Sequence, residues 1–115
     1  RADARHVAER AVEDQHVADI LIDLTRRETK QFSNQFAQVM VESLKHKTQM
    51  INNPHRSAGF RVLKAPDVPS VLVELGYLSN PQDEKSVSDP KWQSELADEM
   101  AEAIRIYASK QMANR

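Results

Sequence analysis

The sequence predicts an α/β fold, with helices packed on a mixed sheet that this chain supplies only in part. Three observations lead there. Val71-Leu72-Val73 is a β-rich apolar run, too short for a helix and set between Pro69 and Gly76, which reads as a strand covered on both faces. Phe60 to Leu63 is a second short strand candidate, while the other apolar residues recur mainly at helical spacing. Two strands do not make a stable sheet, so the chain is expected to be part of a larger domain.

Taken in order, residues 2 to 13 hold good helix formers but only a thin apolar stripe of Ala4, Val7, Ala8 and Ala11, which predicts a weakly anchored helix. Val17, Ile20, Leu21 and Leu24 follow at helical spacing and predict a second, more apolar helix ending near Thr25. A third is expected from Thr29 to about His46, with Phe32, Phe36, Val39, Met40 and Leu44 toward the core. Its C-terminal end carries Lys45, His46 and Lys47, where the helix dipole favours positive charge.

Ile51 to Ser57 contains Asn52-Asn53-Pro54 and reads as a loop. Pro66 and Pro69 exclude helix from the connection between the two strand candidates. Beyond Glu74 the chain turns at Gly76. Asn80-Pro81 then starts a short helical turn, and Asp89-Pro90 repeats that start signal. The last helix should run from about Lys91 to Met112, with Trp92, Leu96, Met100, Ala103, Ile104 and Tyr107 on one face.

Composition narrows the function classes. The 16 basic and 17 acidic residues are interspersed, leaving no electrostatic footprint for nucleic acid, and no helix has the basic amphipathic pattern of a membrane-surface binder. Cysteine is absent, which removes disulfides and thiolate metal sites while leaving the compartment open. No apolar stretch approaches the roughly 20 residues of a transmembrane segment. Residue 1 opens a polar helix, so an export signal, if there is one, is expected upstream of this chain.

Glu74 is the residue that stands out. A carboxylate at the end of a buried strand is costly unless paired, hydrogen-bonded or held near a metal, and strand ends of open α/β sheets are where ligands collect. The residues alone leave a second reading open, a glutamate that has reached the solvent edge and caps the next turn. His6, His16, His46 and His55 are each isolated, without the paired spacing of a zinc site. No metal ligand set is therefore expected within this chain.

Residues 71 to 84, Val-Leu-Val-Glu-Leu-Gly-Tyr-Leu-Ser-Asn-Pro-Gln-Asp-Glu, resemble the C-terminal signature of the zinc-dependent N-acetylmuramoyl-L-alanine amidases of the Amidase_3 type. The likeness extends back through Gly59 to Pro66 and forward through the last helix. It implies that the chain is the C-terminal part of an amidase catalytic domain. Residues 1–48 would be a regulatory helical insertion, and 59–115 the last strands and final helix. The family's Gly-His-Gly and Ser-Ile-His-Ala type zinc segments are not in this sequence, so the resemblance puts the zinc ligands upstream.

The resemblance further implies that Glu74 is catalytic, acting on the zinc-activated water in hydrolysis of the amide between N-acetylmuramic acid and L-alanine of peptidoglycan. Residues 2–10 and 17–24 are similar to the inserted segment of the cell-division branch. There a helix lies over the active site and can place a glutamate on the zinc until an activator of the LytM type displaces it. Glu9 is the first candidate for that blocking residue and Glu13 the second. A periplasmic enzyme of septal cell-wall splitting is the implied setting. The alternative from another class is a non-catalytic helical protein-interaction module in which Glu74 is structural.

Overall fold

The computed structural model describes residues 2–47 and 67–114. These form α1 (Ala2–Leu44), α2 (Pro81–Val87) and α3 (Pro90–Ala113). The expected α/β fold is not what the described residues form: they are helical, with no strand among them. Val71 to Val73 run as irregular chain across the helices. The physical reason is pairing, because a strand exists only when a neighbour closes its backbone ladder and no described segment does so. The other strand candidate, Phe60 to Leu63, lies outside the described residues, as does the loop from Ile51 to Ser57.

The three helices expected before residue 47 are one helix of 43 residues. The intervening stretches, Glu13 to His16 and Thr25 to Glu28, are polar but contain neither glycine nor proline. Nothing in them therefore forces a break. Within these stretches the Gln15 amide donates to Asp19 at 3.1 Å, and the Thr25 hydroxyl donates to the Leu21 carbonyl at 2.9 Å.

Among the described residues, it is the second half of α1 that packs. Met40 and Leu44 are buried with Leu96 and Ala103 of α3, and Phe36, Val39, Trp92, Met100 and Val73 close around them. Phe36 stacks on Tyr107 with ring centroids 4.7 Å apart, and Gln111 donates to Gln35, so α3 runs antiparallel to α1. Burial beside Phe36 pushes the Tyr107 phenol above its usual range. Ile104, expected in this core, is instead half exposed. Thr29 is buried at the edge of the packed half.

The first half of α1 is bare. Among residues 3–28 only Ala18 is even partly buried, and Val17, Ile20, Leu21 and Leu24 are each more than half exposed. At 100° per residue this stripe is centred roughly 150° around the helix from the Phe36, Met40 and Leu44 face, so α3 cannot cover both. The radius of gyration, 20.9 Å, compares with about 13 Å for a compact domain of this length. The short helices follow their start signals. Asn80 caps α2 by accepting from Gln82 and Asp83 N–H with Pro81 next in line, and Asp89 caps α3 by accepting from Lys91 N–H ahead of Pro90.

Candidate functional site

Glu74 sits on the segment from Ser70 to Tyr77 that leads into α2. The Ser70 N–H donates to Ser33 Oγ on α1 at 2.9 Å, which anchors the segment's start. From there the faces alternate. Val71 and Val73 turn toward the helices and are partly buried, whereas Leu72 and Glu74 point outward and are exposed. Such a period of two is what extended backbone imposes, and Val73 reaches the core cluster. The placement on a doubly covered strand is thus corrected: one face is covered, and the Glu74 carboxylate is in the open.

Past Glu74 the chain bends at Gly76, whose φ of 158° lies at the edge of the range that L side chains rarely adopt. A Cβ there would stand 3.1 Å from Asp83 Cβ and 3.3 Å from its Cγ, so a larger residue would press on Asp83 and glycine suits the close approach. The Tyr77 N–H donates to Asp83 Oδ2 at 3.0 Å. Leu75 lines a shallow apolar cleft with Val87, Trp92, Leu96 and Met100. Tyr77 and Leu78 are exposed, Leu78 at 78%.

Glu9 and Glu13 are exposed on the bare half of α1. The Glu9 carboxylate lies 3.6 Å from His6 Nδ1, a contact between two solvated side chains. Glu9 precedes Ser33, the anchor of the Glu74 segment, by 24 positions, about 36 Å along a straight helix at 1.5 Å per residue. The structure therefore does not bring Glu9 or Glu13 together with Glu74. Among the described residues no three His, Cys, Asp or Glu side chains gather as a metal site, and no helix is long and apolar enough to cross a membrane.

Two polar groups that position this segment were not singled out from the sequence. Ser33 was hidden inside a helical run. Asp83 carried a legible signal, an acidic residue three positions after the N-cap Asn80. In a capping box that position reaches back toward the preceding backbone; here it reaches one turn further, to Tyr77.

Comparison with known proteins bears on what such an arrangement is for. The chain is 32% identical to N-acetylmuramoyl-L-alanine amidase AmiC of Escherichia coli over 82% of its own length and 22% of that protein's. It is 29% identical to AmiC of Neisseria meningitidis over 89% of the chain and 24% of the relative. With the probable cell wall amidase LytH of Staphylococcus saprophyticus it shares 35% identity over 64% of the chain and 25% of the relative. The chain thus spans about a quarter of the length of these relatives. Residues 7–106, which include most of the bare half of α1, the Glu74 segment and most of α3, match the profile described as N-acetylmuramoyl-L-alanine amidase, and the chain belongs to that family.

Proposed function

We propose that this chain is the C-terminal portion of a zinc-dependent N-acetylmuramoyl-L-alanine amidase and that Glu74 is its general base and acid. The observation that carries the reading is the outward Glu74 carboxylate, fixed between two anchored ends inside the matched region. Zinc, held by ligands outside the described residues, would supply an activated water at neutral pH. In hydrolysis of the amide between the lactyl group of N-acetylmuramic acid and L-alanine, Glu74 would take up the proton released by the attacking water and return it to the amine of L-alanine as the C–N bond breaks. Metal analysis of the intact protein tests this: one zinc per chain and loss of peptidoglycan hydrolysis on chelation are expected. An active, metal-free preparation would refute the zinc reading.

The same proposal gives α1 a regulatory role. Its first half restrains the enzyme by bringing Glu9, or failing that Glu13, to the metal, and an activator of the LytM type relieves the block. This requires α1 to bend, since the straight helix carries Glu9 away from Glu74. Thr25, whose hydroxyl bonds back to Leu21, is a suitable place, because such bonds loosen and bend helices. Deleting residues 1–15 from the intact enzyme should raise basal hydrolysis on the order of 10-fold, the scale of a typical coupling energy. An unchanged rate would remove the autoinhibitory role. An exported enzyme of the periplasm, acting on septal peptidoglycan, is the setting that fits.

One observation favours the alternative of a non-catalytic interaction module: the uncovered Val17, Ile20, Leu21 and Leu24 stripe, a ready surface for a partner protein. The metal analysis separates the two readings, because only the enzyme needs the zinc.

A further inference from the structure

We propose that Asp83 is the positioning residue for Glu74: by accepting the Tyr77 N–H across the Gly76 bend, it holds the segment that carries the Glu74 carboxylate in one conformation. The proposal rests on the reading of Glu74 given above. The segment from Ser70 to Tyr77 belongs to no helix, so its backbone has no ladder to keep it in place among the described residues. It is tied at the start by Ser33 and near its middle by Val73 in the core. Asp83 supplies the third tie, three residues past Glu74.

That third tie is itself rigidly built. The Tyr77 N–H donates to Asp83 Oδ2 at 3.0 Å, the Asp83 N–H donates to Asn80 Oδ1 at 3.2 Å, and the Asn80 N–H donates to the Tyr77 carbonyl at 2.9 Å. The three bonds close a ring through Tyr77, Asn80 and Asp83. A carboxylate acceptor strengthens its bond to a backbone N–H, and Gly76 permits the approach because any Cβ would press on Asp83. The two bonds made by side-chain oxygens lie in exposed surroundings, so their worth is in geometry more than in stability. Geometry is what a general base needs, since a displacement of about 1 Å can cost roughly 10²-fold in rate.

The test uses the intact enzyme and a soluble muramoyl-peptide substrate, with zinc content and thermal midpoint followed throughout. Asp83→Ala should lower kcat by roughly 10²-fold with KM unchanged. Asp83→Asn should recover most of that loss, because its amide oxygen accepts the same N–H. Gly76→Ala, which wedges the contact apart, should reproduce Asp83→Ala. A kcat for Asp83→Ala within about twofold of the parent, alongside an inactive Glu74→Gln, overturns the positioning role and leaves the role of Glu74 standing. An active Glu74→Gln defeats the earlier reading on its own account. If Asp83→Asn is as impaired as Asp83→Ala, the charge acts rather than the hydrogen bond, and the proposal fails. Should Asp83→Ala not fold, Gly76→Ala decides: lost kcat at constant KM supports the proposal, and an unchanged kcat overturns it.

Discussion

Replacing Glu74 by glutamine in the intact enzyme should lower kcat by roughly 10²- to 10⁴-fold, the range that general acid–base catalysis contributes, with zinc content and thermal midpoint unchanged. The separation of activity from stability follows from the surroundings of the side chain. Glu74 is exposed and takes no hydrogen bond or ion pair from any described residue, so no buried bond is lost when its charge is removed. Glutamine keeps the size and the ability to accept a hydrogen bond, but it cannot take up a proton at neutral pH. Hydrolysis at the parent rate would show that the carboxylate has no part in the chemistry. A large fall in the thermal midpoint would instead mean that Glu74 is a structural residue, as the alternative reading holds.

Leu96→Ala should have the largest effect on stability, about 2 to 4 kcal/mol from lost transfer energy and the cavity left behind. Among the described residues Leu96 is one of four buried apolar residues, and it joins the two long helices through Met40 and Leu44. With so small a core, one truncated leucine removes a sizeable share of what holds α3 to α1. The neighbouring cleft at Leu75, Val87 and Trp92 allows some collapse, which keeps the expected loss below the top of the range for such substitutions. Chemical denaturation of the intact enzyme measures it, with Met112→Ala as the control. Met112 is 75% exposed, and its truncation should change stability by no more than about 0.5 kcal/mol. Equal effects at the two positions would mean that the core lies elsewhere.

The helices were legible because their signals are local. Asn80-Pro81 and Asp89-Pro90 each supply a capping side chain and a first residue whose φ already suits a helix, and both helices start there. The spacing of Phe36, Met40, Leu44, Leu96 and Ala103 picked out the packed faces. Where α1 would be interrupted was not legible: polar stretches look like loops to a pattern of apolar residues, yet without glycine or proline they extend a helix as readily as they break one. Val71 to Val73 failed for a different reason. An apolar β-rich run states what the side chains avoid, while a strand also needs a partner for its backbone, and the described residues contain none.

The site divides along the same line. The segment around Glu74, with its glycine bend and capped turn, could be identified from residue order alone, as could the family to which the chain belongs. The outward direction of the carboxylate, the ring of bonds through Asp83, and the separation of Glu9 from Glu74 could not. The sequence by itself determined where helices start, which of their faces are apolar and which acidic residue lies in the motif, because caps and periodicity act within one turn. Tertiary structure alone decided which apolar stripe is covered, whether the β-rich run pairs and how its glutamate is held. Those outcomes depend on contacts between groups far apart in the chain, and no local pattern encodes such a contact.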